Sequence, residues 1–292
     1  MKYQMHKDIM KHEQRRAAFN RLAKATFQLS FEEWYQSGYW SERNQPYVLF
    51  DGERAIANIS VNQMEVLWEG KTRQVIQLGT VMTDKEYRNQ GLSRMLMEVI
   101  LEEWQDRCEA VILFANKSVL DFYPRFGFRR YDQYRYSMPF EGTQGDAVKL
   151  DMDGEADRAI LQSCYQKGNP FSRIQEINNF GLLMFYCMAP MKDSVFYSES
   201  SRACVIAEQQ GSELHCYNIF GEQSGNQEDG LKQILTAVAA AGTERVIFHF
   251  TPAGGDHYSV AEVGAADTLF ICSDTATMFT DHKLLFPEMS HT

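Results

Sequence analysis

Six consecutive residues, Arg88-Asn89-Gln90-Gly91-Leu92-Ser93, bring a cation, a glycine and a small hydroxyl residue to a point where an apolar strand gives way to a helix. The leading N–H groups of a helix have no internal partner and lie at the positive end of its dipole. A glycine there lets an anion approach the backbone closely. The pattern suits a phosphate or pyrophosphate, and it equally describes an ordinary strand-to-helix turn. Downstream, Phe122-Tyr123-Pro124-Arg125-Phe126-Gly127-Phe128 sets one phenol among aromatic residues. A tyrosine with its ordinary pKa of about 10 is protonated at neutral pH and can give a proton to a leaving group; it can also simply pack.

The elements that must position these residues are legible around them. Val75–Thr83 is apolar and β-branched, Asp84–Gln90 is a polar turn, and Leu92, Met95, Leu96, Val99, Ile100 and Trp104 trace one helical face. Ala110–Ala115 (AVILFA) is the fully apolar strand expected of a parallel neighbour, joined to Val75–Thr83 by a right-handed crossover. A short helix is expected over Val119–Phe126, with Pro124 bending or ending it early and Gly127 at its C′ position. Upstream, Tyr47–Phe50, Arg54–Leu67 and Lys71–Thr83 form a meander turned at Asp51-Gly52 and Glu69-Gly70. Before it lie a helix over Ala17–Gln28 and a second over Phe31–Tyr39, capped by Ser30 with Glu33 in the capping-box position. Met1–Arg16 is polar and is expected to be a loosely held lead-in.

Arg-x-x-Gly-x-Ser resembles the Gln/Arg-x-x-Gly-x-Gly/Ala signature of the GCN5-related N-acetyltransferases (GNAT), with Ser93 departing from the last position. The Tyr123-to-Phe128 cluster resembles that family's second hallmark. The resemblance implies an α+β (α/β/α) fold around a mixed twisted sheet, with acetyl-CoA as co-substrate for transfer of an acetyl group to a primary amine. It further implies that the backbone along Val81, Met82 and Thr83 pairs with the pantetheine arm. The N–H groups of Asn89, Gln90, Gly91, Leu92, Ser93 and Arg94 would then hold the pyrophosphate, Arg88 and Arg94 would add charge, and Asn116 would reach the pantetheine. Tyr123 would be the general acid, and Trp34 to Trp40 would wall the acceptor pocket.

N-acetyl transfer also needs an uncharged amine and hence a base. Many GNAT enzymes carry a Glu on the central strand; this strand offers only Gln77, so a water relay or a distant group is implied, while Asp84 and Glu86 are expected to be solvated. Tyr-x-Arg-Phe-Gly-aromatic followed by a decayed second copy resembles the enhanced-intracellular-survival (Eis-type) acetyltransferases. In those the terminal carboxylate enters the active site as base, which would assign that role to Thr292. The chain lacks the length for their third domain.

The second half repeats the first in decayed form. Val195–Ser198 and Ala203–Phe220 mimic the meander, and Gly230-Leu231-x-x-Ile234-Leu235 matches Gly91-Leu92-x-x-Met95-Leu96. Helix Leu231–Ala241 leads to strand Arg245–Phe250, and Thr268–Ser273 is a further strand. Glu228 and Asp229 oppose an anion in the equivalent loop, Lys232 replaces the small residue, and Val260 stands where Tyr123 would. The expected organisation is a catalytic acetyl-CoA-binding domain over 1–140 and a degenerate GNAT-like domain over 141–292, divided in the Gly- and Asp-rich stretch Pro139–Gly154.

With 292 residues, 44% of them hydrophobic, the chain is long enough for two packed domains. A net charge of −10 argues against nonspecific nucleic-acid or anionic-membrane binding and is compatible with a cationic acceptor. Cys108, Cys164, Cys187, Cys204, Cys216 and Cys272 show no C-x-x-C spacing, which suits reduced thiols and a cytoplasmic location. There is neither a secretory leader pattern at Met1–Arg16 nor an apolar run of membrane-spanning length. His6, His12, His249 and His257 have no metal-ligand spacing, and no metal is expected. The expected partner is a small-molecule or peptide amine; a homo-oligomer is compatible with these features. The competing reading is a non-catalytic acyl-CoA-binding regulator, against which Tyr123 speaks.

Overall fold

Alternating and β-branched residues build an antiparallel meander of β2 (Asn44–Asp51), β3 (Arg54–Trp68) and β4 (Lys71–Thr83). Helix α3 (Leu92–Trp104) crosses over, and β5 (Ala110–Ala115) returns parallel to β4. Leu96, Met97 and Ile100 of α3 are buried against Ile76, Leu78, Val111 and Leu113. On the opposite face, α1 (Glu13–Phe27) and α2 (Glu32–Gln36) pack Phe19, Leu22 and Trp34 with Val48, Phe50 and Met82. The first half is therefore α/β/α, as the strand and helix patterns imply. The computed structural model describes residues 3–143, 145–222, 225–254, 257–264, 268–273, 279 and 282–292.

Three local expectations are corrected. The polar lead-in is held: β1 (Gln4–His6) pairs with β2, Ile9 is fully buried, and the Arg16 guanidinium is buried in a bidentate bond to Glu32. Such a segment adds main-chain hydrogen bonds to an open sheet edge, which side-chain periodicity does not report. Helix α2 starts with Phe31 in the N-cap position, while Ser30 Oγ accepts only a 3.4 Å bond from the Glu32 N–H. Val119–Phe126 is not one helix: two 3-10 turns, Lys117–Val119 and Tyr123–Phe126, bracket the aromatic cluster. Pro124, near the start of the second turn, has no N–H to extend an α-helix, and Gly127 closes it with φ +86°.

The second half contributes β8 (Val148–Lys149), α4 (Glu155–Tyr165), β9 (Ile174–Ile177), α5 (Phe180–Met188), β10 (Val195–Ser198), β11 (Ala203–Gln210), β12 (Glu213–Gly221), α6 (Gln227–Val238), β13 (Arg245–Phe248), β14 (Ser259–Glu262) and β15 (Thr268–Cys272). Here too β12 and β13 run parallel after an α-helical crossover, as β4 and β5 do.

The halves exchange strands. After the aromatic cluster, β6 (Arg129–Tyr131) stays in the first sheet, but β7 (Tyr134–Pro139) lies in the second, between β13 and β14. In return β15 enters the first sheet between β5 and β6. Each half thus lends the other the strand beside its parallel pair. Local pattern marks both segments as strands, the first mixed and partly buried, the second apolar and buried on both faces, without naming the partner. Strand β9 also crosses over, pairing with the far end of β3.

Candidate active site

Strand β4 is irregular where it matters. Gly79 faces Ser60 and Met82 faces Asn58 across the β3–β4 ladder, so β4 carries an extra residue there, and Thr80 adopts φ +48°. Such a bulge bends the strand and re-aims its side chains. Pairing with β5 ends at Leu78–Leu113. Beyond it the two parallel strands part, leaving the β5-facing edge of residues 79–83 without a ladder partner from β5.

On one side of this opening lies a cleft of about 530 Å³. Its walls include Val81, Met82, Thr83, Arg88, Ser93, Tyr123 and Arg125. The turn after β4 is a 3-10 segment, Lys85–Tyr87, capped by the Asp84 carboxylate on the Glu86 N–H (3.0 Å). Asp84 and Glu86 were expected to be merely solvated; both pair with Arg54. Asn89 (φ +62°) and Gly91 (φ +77°) then reverse the chain into α3, whose N-terminus carries no side-chain cap. A Cβ on Gly91 would meet nothing within 4 Å, so the glycine serves its left-handed conformation. Ser93 Oγ bonds Thr83 Oγ1 at 2.8 Å, tying helix to strand; this is what the departing residue of the signature does. Gln90 accepts a bond from the Tyr3 hydroxyl (3.1 Å), Leu92 is buried beneath the helix, and Arg88, Asn89 and Arg94 are exposed around its start. The first-turn N–H groups and these arginines fit an anionic phosphate group.

Tyr123 is buried against Phe122, Phe128 and Phe270, the last supplied by the exchanged strand β15. Burial pushes its phenol up to about 12, and among the described residues the hydroxyl has no hydrogen-bond partner. It therefore stays protonated and is available to an incoming group. Asn116 ends β5, but its side-chain oxygen is engaged by the Ser118 N–H (3.0 Å) and hydroxyl (2.5 Å). It is not brought to the cleft wall, which takes Ser118 and Val119 instead.

On the other side of the bulge is a separate cavity of about 340 Å³, reached by Thr80. Phe27, Leu29, Phe31 and Trp34 form one wall; Leu182, Phe185 and Tyr186 of α5 form the other; His291 and Thr292 close the floor. Of the stretch expected as substrate wall, Trp34 lines the cavity, while Trp40 is buried behind it, stacked at 5.4 Å and 11°.

The chain terminus is thus brought to the bulge, beside Gly79. A Cβ on Gly79 would lie 2.7 Å from the backbone carbonyl carbon of Thr292 and closer still to its backbone oxygen and side-chain hydroxyl, so only glycine admits Thr292 there. Thr292 Oγ1 accepts from Asn62 Nδ2 (2.6 Å) and donates to Gln77 Oε1. Gln77 Nε2 in turn donates to the Ser290 carbonyl at 3.0 Å. Gln77 therefore grips the tail where a strand glutamate was missing. His291 stacks on Phe114 at 3.5 Å, and burial lowers its imidazole to about 4, keeping it neutral.

Further back, the 3-10 turn Glu288–Ser290 is fixed in the opening of the second half, where β12 and β13 part after Cys216–Phe248. The Glu288 carboxylate bonds His249 Nδ1 (2.5 Å) and Arg135, and His249 Nε2 meets His215 Nδ1 at 2.9 Å. Burial opposes the ionised form of Glu288, but His249 and Arg135 outweigh it and hold the carboxyl below its usual range. The Tyr186 hydroxyl donates to the His291 carbonyl (2.7 Å). The last residues therefore span from one strand opening to the other.

Sequence reasoning missed α5, Gln77 as a tail anchor, and the Glu288–His249–Arg135 cluster. An available signal was Gly79, since glycine inside a strand marks a bulge or a close approach. Phe180–Met188 is apolar nearly throughout, which reads as core rather than as pocket wall.

Residues 10–131 match the acetyltransferase (GNAT) domain family. No curated protein matches the sequence. Solved structures share the fold over nearly the whole chain. A conserved protein of Enterococcus faecalis V583 has a TM-score of 0.61 at 12% identity over 93% of this chain and 72% of its own. A GCN5-related N-acetyltransferase of Kribbella flavida gives 0.54 at 13% over 92% and 71%. Eis1 of Mycobacterium abscessus gives 0.56 at 14% over 93% and 73%. The fold resemblance thus extends to an Eis protein and through the second half. All six cysteines are free thiols, and among the described residues no helix is long and apolar enough to cross a membrane and no cluster of metal-ligating side chains occurs.

Proposed function

We propose, from the match of residues 10–131 to the acetyltransferase (GNAT) domain family, that this chain is an acetyl-CoA-dependent acyltransferase that acetylates a primary amine by direct transfer, with Tyr123 as general acid and the Thr292 carboxylate as base. The observation that carries the reading is the pair of cavities flanking the β4 bulge, one lined by Val81–Thr83 and Tyr123, the other by Thr80 and Thr292.

Acetyl-CoA supplies the acetyl thioester, whose C–S bond breaks as the C–N bond forms. The unpaired β4 edge at Val81–Thr83 orients the pantetheine arm, and the N–H groups of residues 89–94 with Arg88 and Arg94 bind the pyrophosphate. The Thr292 carboxylate takes the proton from the attacking amine, and the Tyr123 phenol gives one to the departing sulfur. The gain comes from holding both reactants in register across one strand. In this reading residues 1–140 hold the donor, and residues 141–292 are a degenerate copy that supplies α5, β15 and the base. Asn116 keeps at most a secondary role, through its amide nitrogen. The free thiols support a cytoplasmic location.

The test is a thermal shift with acetyl-CoA followed by free-thiol release over a panel of amines. A shift with amine-dependent thiol release is expected. Absence of a shift with any acyl-CoA overturns the reading; a shift without release from any amine favours a non-catalytic acyl-CoA-binding protein.

A further inference from the structure

Resting on the transferase reading, we infer that the acceptor is a hydrophobic monoamine, an amino group on a short chain bearing an aromatic or branched aliphatic body, and not a polyamine or aminoglycoside. The acceptor cavity carries the argument. Phe31, Trp34, Phe185 and Leu182 make its walls, with Phe31 stacked on Phe185 at 5.5 Å and Trp34 edge-on to Phe185 at 5.3 Å. No Lys, Arg, Asp or Glu side chain lines it among the described residues. Its polar elements are Asn44, Thr80, Tyr186, His291 and Thr292; the Tyr186 hydroxyl is engaged by the His291 carbonyl and the His291 ring is stacked on Phe114, which leaves Asn44, Thr80 and Thr292 to face an amino group.

Such a cavity has one place for an amino group and none for a second charge. An amine placed at Thr292 meets the carboxylate that would accept its proton, and burial among aromatic side chains favours the neutral, nucleophilic form of that amine. The body of the molecule then replaces water against the rings. A further ammonium group would lose its hydration with no side-chain carboxylate to meet it, and the net charge of −10 cannot substitute for a local counter-charge. The volume, about 340 Å³, lies at the small end of ligand sites. Phe27 stands 48% exposed at the helix end of this cavity and gives it an apolar rim.

Thiol release from acetyl-CoA is measured with 2-phenylethylamine, tryptamine and isoamylamine against spermidine and kanamycin, for the full chain and for Phe27→Glu, a change confined to the rim. The expected result is kcat/KM about tenfold or more higher for the first three, with Phe27→Glu narrowing the gap to spermidine. Preference for spermidine or kanamycin overturns the inference and leaves the transferase reading standing. Failure of acetyl-CoA to bind overturns the transferase reading, and this inference with it. If acetyl-CoA binds but no amine reacts, tryptophan fluorescence titration with 2-phenylethylamine decides: saturable binding weakened by Phe27→Glu supports the inference, and no binding overturns it.

Discussion

Gly79 and Thr292 are fitted to each other: the strand residue has no side chain where the last residue of the chain lies, and a Cβ there would overlap the backbone carbonyl and side-chain hydroxyl of Thr292. The backbone of Gly79 is not in the left-handed region, so the glycine serves space and not conformation. Gly79→Ala is therefore expected to expel the tail with little loss of fold stability. Because β4 keeps its pairing with β3, acetyl-CoA affinity should hold while kcat falls about 100-fold, the scale of losing a general base. Deleting Ser290–Thr292 should reproduce the loss. Unchanged turnover in a folded deletion variant, checked by thiol release and circular dichroism, would remove the terminal carboxylate from the mechanism.

The tail is anchored remotely as well. Glu288 is held by His249 and Arg135, and His249 is only 5% exposed. Glu288→Gln keeps the shape but removes the charge that both partners meet. A lost charge-assisted hydrogen bond in such a setting costs about 2 kcal/mol. The expected signature is a lower midpoint in urea and a raised KM for the amine, with acetyl-CoA affinity unchanged. A drop in acetyl-CoA affinity instead would show that the cluster supports the donor cleft.

Tyr123→Phe separates chemistry from packing. The ring contacts with Phe122, Phe128 and Phe270 are retained, and the hydroxyl makes no hydrogen bond among the described residues. The stability change should stay within about 0.5 kcal/mol, while kcat drops about 100-fold with acetyl-CoA binding intact. With the phenol at about 12, it should contribute no alkaline limb to the rate below pH 10. Wild-type turnover by the phenylalanine variant would make Tyr123 a packing residue.

Much of the cleft beside Val81–Arg94 could be read from local pattern, because strand, turn and helix signals there coincide with the residues that line it. Arg88 to Arg94, Val81 to Thr83 and Tyr123 lie within about 40 positions of one another, and short-range periodicity reports such units. The cavity around Thr80 and Thr292 depends on contacts at long sequence separation, which periodicity does not encode. Trp34 bonds the Gly181 carbonyl at 2.7 Å, Asn62 and Gln77 grip Thr292, and β15 sits beside β5. Asn116 shows the opposite failure: the position was legible, but its side chain is spent on a local turn with Ser118. The strand exchange was hidden because β7 (Tyr134–Pro139) and β15 (Thr268–Cys272) each read as a strand from local pattern, which does not name the sheet that takes it.

Two half-buried groups in and beside the tail should give opposite responses to pH. His291 is lowered by burial to about 4 when docked, against about 6.5 when free, so its contribution is complete above pH 6.5 and is lost as pH falls towards 4. Glu176 on β9 touches Ser290 and Asn179; burial raises it to about 7 against the lowering bonds from those two side chains, so it favours the folded state most below its free pKa of about 4.3, and this is lost as pH rises through 7. Rates relative to single variants cancel the titration of the amine substrate. The ratio of wild type to Glu176→Gln in kcat/KM should fall as pH rises from 6 to 8, by about tenfold if a single carboxylate is responsible. The ratio of wild type to His291→Phe, which preserves the stack on Phe114, should rise between pH 4 and 6.5. Two flat ratios, with both variants folded, would mean that the tail stays docked whatever the charge on these groups, and that Gln77, Asn62 and Tyr186 hold it alone.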